Sequence, residues 1–480
     1  MKQQCISINP EPTFSLSPWL YMQFMEPLGA TDGSVEAMWD HQNEDWWPDT
    51  IRVTRELAPT LIRWGGCLSS YYRWRESIGP RDRRIPMHNL LWKGMESNQI
   101  GTHEFVDFCR RVGAEPFYCV NFESDGRMKW ARPRRGGFRS AGPKEAAEWV
   151  DYCNNPSNKE RRRNGARRPF NIKLWQLGNE TSYDKNGFDC ETAARRTVPF
   201  AKAMRKVDSS LKFIGWGDSG WAPRMLEVAG EHLDFISFHA GYKSTLSENP
   251  PFADNEFRKD PAATWEHLMT GADFGERKLL RFREQIASNP KPIAITEGHY
   301  GRYGGSGSMM GSWAAGVAYA RIFNMYQRHG DAVKILTLSD FCGTRWMCNS
   351  VIINPPGCVC YMLPVARVMQ LFRHHTGKKA LTVKKVPAGL DITASRTGSK
   401  IWLHIVNTSR NKSVRTSVEI EGFKIASGKV FSIVADPMFE VCYRNTEELA
   451  PKGKVLPVSR ILDVPAAAVM SVELEVKALK

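Results

Sequence analysis

Eight β-prone runs alternate with helical patterns over residues 19–375, and past His375 the helical period disappears in favour of short alternating runs. Two of the eight runs, Trp175 to Glu180 and Ile293 to Glu297, are mostly apolar and end abruptly in a carboxylate near a glycine. Strands alternating with helices at this spacing build a parallel sheet, and eight repeats imply closure. The fold class read from the chain is therefore α/β: a (β/α)8 TIM barrel with a C-terminal all-β sandwich. A parallel strand buried on both faces reads as a near-continuous apolar run, and polar groups at its C-terminal tip mark the functional end of such a barrel.

The strands are read as Trp19–Met25, Leu61–Trp64, Glu115–Asn121, Ile172–Glu180, Leu211–Ser219, Leu233–Gly241, Pro292–Gly298 and Val333–Phe341. Helices are read at Thr102–Val112, Pro143–Cys153, Glu191–Val207, Arg224–Glu231, Glu276–Ala287, Trp313–His329 and Met362–His374. Phe105, Val106 and Cys109 after Thr102 form the apolar stripe of a core-facing helix. The sandwich strands are read at Ala380–Val386, Leu390–Ser395, Ile401–Val406, Val414–Ile420, Lys429–Val434 and Val469–Val476. Three units follow: 1–18, an N-terminal strand around Gln4–Ile8 that pairs with the sandwich; 19–375, the barrel; and 376–480, the sandwich.

Composition narrows the function. With 42% apolar and 24% charged residues, the 480-residue chain is that of a folded protein with more than one core. Its net charge of +15 owes much to two stretches, four Arg in 132–139 and six basic residues in 159–168. No nucleic-acid-binding motif accompanies them, so they read as solvated loops. Eleven Cys without a C-x-x-C pair read as reduced thiols, and no metal-ligand spacing is present. Met1 to Cys5 lacks the apolar core of a signal peptide, and no run of ~18 apolar residues occurs, which points to the cytoplasm and to no membrane partner.

Glu180 and Glu297 lie 117 residues apart. That is three β-plus-α units of about 39 residues in a barrel of ~250 residues or more, so they occupy strands four and seven. Two carboxylates converging on one mouth are the minimum equipment for glycoside hydrolysis. A general acid keeps its proton when buried near negative charge, whereas a nucleophile must stay ionised among donors. Glu180 is read as the general acid/base and Glu297 as the nucleophile, with the roughly 5–5.5 Å carboxyl separation of a retaining site.

These strands, with Phe24 to Gly29, Leu61 to Cys67, Ser97 to Phe105, Gly113 to Pro116, Leu174 to Glu180 and Asp234 to His239, resemble the α-L-arabinofuranosidases of glycoside hydrolase family 51, retaining glycosidases of the (β/α)8 clan. The resemblance implies an exo-acting enzyme that removes terminal arabinofuranose from an oligosaccharide or polysaccharide side chain through a covalent glycosyl-enzyme. It implies no metal or organic cofactor, no nucleic-acid partner, and self-association of the chain. It further implies that Glu26, Asn121 and Asn179 bind sugar hydroxyls, that Gly66 and Cys67 let backbone approach the ring, and that His239 and Tyr242 stand beside the nucleophile. The chain has Pro27 after Glu26 and the Gly-rich Gly298 to Gly305 after the nucleophile, where the family has His and a Trp-bearing segment. Tyr300, Tyr303 on a mobile Gly301–Gly307 loop, and Trp346 are the replacement aromatic walls. Three alternatives stand beside this reading: a retaining hydrolase of another furanoside, a xyloside or a β-glucan on the same scaffold, a catalytically silent carbohydrate-binding protein, and a nucleic-acid binder driven by the basic loops.

Overall fold

The computed structural model describes the chain apart from residues 1–3, 28–31, 34, 67–68, 70, 90–93, 123–130, 133–139, 184–188, 243–255, 301–307, 355–358, 458–459 and 480. Parallel strands at Met22–Met25, Leu61–Trp64, Glu115–Val120, Leu174–Leu177, Lys212–Trp216, Phe235–Gly241 and Ile293–His299 are numbered here barrel strands one to seven. Each pairs with the next in chain order. The eighth is broken. Val333–Leu336 pairs with strand seven, and Asp340–Gly343, three residues on, pairs with strand one. Strands one and seven thus meet two halves of one strand, where the sequence suggests a continuous run from Val333 to Phe341, and beyond Asp340–Gly343 the sheet continues through Asn349–Asn354 to Val359–Met362.

Strands one to six pair without a bulge. Met22, Phe24, Leu61, Phe117, Leu174, Ile214, Phe235, Ala294 and Ile335 form one buried cluster, a plug inside the row of strands. Residues two steps further along a strand lie on the same face, so the plug leads directly to Glu26, Arg63, Gln176 and Trp216, and in four steps to Asn121, Asp218 and His239. Strand seven needs a correction to this count. Phe238 pairs with Ile295 but His239 with Glu297, so Thr296 is an extra residue. A bulge of this kind turns the following side chain to the other face. Without it Glu297 would follow Ile293 and Ile295 into the outer apolar layer.

The helices start and stop where short polar groups satisfy their ends. Thr102–Val112 has Glu104 reaching back to the Gly101 amide at 2.9 Å and ends at Gly113, whose φ of +78° suits glycine. Cys190–Val207 is capped by Asp189, and Trp313–Arg328 by Ser312. Helices at Pro48–Leu57, Lys159–Arg163 and Pro261–Met269 are absent from the sequence reading. The second of these corrects the assignment of 159–168 as a solvated loop. Arg161 is wholly buried, and its guanidinium donates to the carbonyls of Tyr152 (2.8 Å), Asn155 (2.7 Å) and Ala166 (3.3 Å). Of the other basic stretch, 133–139 lies outside the described residues.

Beyond the barrel a nine-stranded sheet curls on itself around a separate apolar core that includes Ile401, Leu403, Val430 and Val472. The strand Gln4–Ser15 enters it, antiparallel to Lys379–Lys385 and parallel to Val414–Ile420. Helix Trp313–Arg328, buried on nearly every side, lies between the two bodies. Trp313 Nε1 donates to Ala467 O at 2.8 Å, and Asn324 Nδ2 to Asp391 Oδ1 at 3.0 Å. The described cysteines are all free thiols, and no helix among the described residues is long and apolar enough to cross a membrane.

Candidate active site

Strand four ends in a tight turn. Gly178 has a φ of +85° and Glu180 a φ of +50°, so the carboxylate sits on a left-handed residue, a conformation that costs energy for any side chain but glycine. An oxygen of Glu180 and an oxygen of Glu297 lie within 4.8 Å of each other and of a His239 ring nitrogen. The Glu180 side chain is 27% exposed and that of Glu297 3%. Glu180 therefore faces the opening and Glu297 the floor.

The floor is built on Arg63. Its guanidinium, wholly buried, donates from Nε to Gln176 Oε1 at 3.0 Å, from Nη1 to Glu297 Oε1 at 2.9 Å and from Nη2 to Asn179 Oδ1 at 2.5 Å. Gln176 is itself held by Gly178 O at 2.9 Å. A planar cation with fixed donors can orient three acceptors at once, which lysine cannot. Burial pushes Glu297 upward from the usual carboxylate range, and Glu180 adds to this when ionised, while His239, when protonated, and Arg63 draw it back. Glu180 is raised by burial to about 7; Arg63 and Lys278 oppose that rise and Asp218 adds to it. Only Glu297 is salt-bridged to the arginine, which favours the charged form at Glu297 over that at Glu180.

His239 Nδ1 lies 2.8 Å from Glu180 Oε1 and 3.5 Å from Glu297 Oε2, and Nε2 lies 3.1 Å from Thr296 Oγ1. Burial lowers its pKa to about 4, so the ring is neutral. Trp216 meets the imidazole edge-on at 4.6 Å between ring centroids. Among the described residues, Glu180, His239 and Glu297 are the group close enough to hold a metal ion, and the Arg63 cation already pairs with one of its members.

Several expected contacts fall elsewhere. An aromatic platform must show a ring face to solvent, and neither Tyr300 nor Trp346 does. Tyr242 and Tyr300 are wholly buried against each other, 5.6 Å between centroids, and the Tyr300 hydroxyl donates to Leu268 O at 2.6 Å. Both are core struts. Trp346 is 6% exposed, in a loop whose amides at 345 and 346 donate to Asp32 Oδ1. Asn121 spends its amide on backbone, donating to Tyr72 O and accepting from Ala141 N. The close approach at Gly66 is to protein rather than to a ligand: a Cβ there would stand 2.1 Å from Glu26 Cδ. Cys67, Tyr303 and the rest of Gly301–Gly307 lie outside the described residues.

Sequence reading assigned no role to Arg63, Asp218, Lys278 or Thr296. For Arg63 a signal existed, a lone cation inside the apolar run Leu61 to Trp64. Lys278 sits on a polar helix face with nothing local to distinguish it.

A family model described as alpha-L-arabinofuranosidase 1 domain matches residues 53–262. A probable alpha-L-arabinofuranosidase C of Aspergillus fumigatus is 35% identical over 228 residues, covering 45% of this chain and 42% of that protein. An intracellular exo-alpha-(1->5)-L-arabinofuranosidase of Acetivibrio thermocellus is 30% identical over 251 residues, 48% of this chain and 47% of that one. The matched stretch thus spans less than half the length of each of these relatives. The fold agrees over a longer range. An arabinose complex of the Thermotoga maritima alpha-L-arabinofuranosidase superposes with a TM-score of 0.76 over 98% of this chain and 99% of that one, at 21% identity. A Paenibacillus polymyxa xyloglucanase of glycoside hydrolase family 44 follows at 0.62 and 13% identity, again covering 98% and 99%. In sequence through the first part of the barrel, and in fold throughout, this chain resembles the α-L-arabinofuranosidases of glycoside hydrolase family 51.

Proposed function

We propose that the chain is a retaining, exo-acting α-L-arabinofuranosidase: a closed (β/α)8 barrel over 19–375 that carries the site, and a sandwich of 376–480 completed by 1–18. The observation that carries this reading is the asymmetric acid pair, Glu297 buried on the Arg63 guanidinium and Glu180 half-open beside it within 4.8 Å. Inverting sites hold their acids roughly 6.5–9.5 Å apart to admit a water, so the short approach favours direct attack. Glu297 attacks the anomeric carbon while Glu180 passes its proton to the departing glycosidic oxygen. Glu180, now a carboxylate, then takes a proton from water as that water attacks the same carbon and releases Glu297.

Asn179 supports the reading. Its Oδ1 is held by Arg63, and its buried Nδ2 has no hydrogen-bond partner among the described residues. A buried donor left unpaired costs about 1–3 kcal/mol, which a sugar hydroxyl would recover on binding. Glu26, buttressed by Gly66, is the second hydroxyl-binding group. The substrate class is a terminal arabinofuranose on an oligosaccharide or polysaccharide side chain.

The test is turnover of a panel of aryl glycosides with proton NMR of the first-formed sugar. Arabinofuranoside is the expected preferred substrate, with the anomeric configuration retained. Preference for a xyloside or a glucoside moves the substrate to the alternative reading. No turnover of any glycoside, with arabinose still bound, identifies a silent binding protein.

A further inference from the structure

Asp218 follows strand five and is buried, yet it touches three other elements. Its Oδ2 accepts from the Tyr183 hydroxyl at 2.5 Å, Lys278 Nζ at 2.9 Å and the His239 amide at 3.4 Å, and its Oδ1 accepts from the Ser219 amide at 2.7 Å. Lys278, on the helix Gly271–Gln285, also donates to His239 O at 2.7 Å. The same His239 carries the imidazole that meets Glu180, and Tyr183 stands three residues past Glu180. Both oxygens of Asp218 are engaged by protein donors, so whatever it does is done through those neighbours.

We propose that Asp218 and Lys278 form an opposed-charge positioning pair that clasps the loop after Glu180 to the backbone of His239 and sets when Glu180 gives up its proton. The inference rests on Glu180 being the acid/base. Among the described residues, the charged and titratable groups facing Glu180 are Arg63 from strand two, Tyr183 from the loop after strand four, Asp218 after strand five, His239 from strand six, Lys278 from the outer helix and Glu297 from strand seven. Asp218 holds the proton on Glu180, and Lys278 and Arg63 work to release it. The two members of the pair therefore act in opposite directions, which a merely structural contact would not do.

The test uses the full chain as wild type, Asp218→Asn, Lys278→Met and the double variant, with thermal melts confirming that each folds. The pH profile of kcat/KM is recorded on an aryl arabinofuranoside, and the Glu180 carboxyl is titrated by 13C NMR, its signal identified by its absence in Glu180→Gln. The NMR titration needs no turnover, so a wild type inactive on the glycoside would refute the acid/base reading while the effect of the pair on Glu180 is still measured. The expected result is that the Glu180 titration and the alkaline limb move by about 1 pH unit to lower pH in Asp218→Asn and to higher pH in Lys278→Met. The double variant should return close to wild type. Unchanged titration in both single variants, or shifts in the same direction, overturns the inference. If Lys278→Met fails to fold, Lys278→Gln removes the same charge and is judged by the same criterion.

Discussion

Arg63 is the costliest side chain in the site to bury, and three acceptors offset that cost. Arg63→Ala leaves Glu297 uncompensated, with an expected destabilisation of about 3–5 kcal/mol and a loss of at least ~100-fold in kcat. Arg63→Lys should restore folding better than turnover, because one ammonium cannot orient three partners. Denaturant melts and steady-state kinetics on the two variants check this, and equal kcat in both would remove the orienting role. The acids themselves should separate by leaving group. Glu180→Ala is expected to spare substrates that need little protonation and to be rescued by azide, whereas Glu297→Ala should lose turnover of every substrate. In the wild type, kcat/KM should fall as the pH rises through about 7, where Glu180 loses the proton it must donate. A profile flat from pH 6 to pH 9 would refute that assignment.

At the scale of elements, the geometry depends on one extra residue and one missing side chain. Thr296 is the extra residue in strand seven that turns Glu297 inward, and its hydroxyl keeps contact with His239 at 3.1 Å. Gly66 is the missing side chain, at the end of strand two, where even a methyl would overlap Glu26. Gly66→Ala should therefore act mainly through Glu26. We expect about a ten-fold or larger fall in kcat/KM, close to that of Glu26→Ala, with the double variant no worse than either. Additive losses in that cycle would mean that Gly66 acts on the sugar directly.

For the molecule as a whole, the seam between barrel and β domain should be sensitive to acid. His404 is wholly covered at this seam, stacked on Phe372 at 3.9 Å, with Nδ1 facing Gln327 and Nε2 facing His375 O. Burial lowers its pKa from 6.5 to about 3. Between these values the unfolded chain binds the proton and the native one does not. The contribution is therefore complete above about pH 6.5 and is lost as the pH falls towards 3, by up to about 1.4 kcal/mol per pH unit. Melts from pH 7 to pH 4 should show a declining Tm, and His404→Gln should flatten the slope. An unchanged slope would mean that other groups dominate acid unfolding.

Local pattern alone carried the alternation of strands and helices, the change of texture past His375, and the delivery of Glu180 and Glu297 at strand tips. Each of these is a periodicity or a spacing, and such signals survive in a single sequence. What needed the tertiary structure was register and pairing. Arg63 meets Asn179 across 116 residues and Glu297 across 234, and no local rule couples positions so far apart. The bulge at Thr296 is visible only against the neighbouring strand. Tyr300 and Trp346 looked like sugar platforms because an aromatic residue near a glutamate has the right composition. Their burial was decided by helices and loops far away in sequence, which cover ring faces that the sequence leaves open.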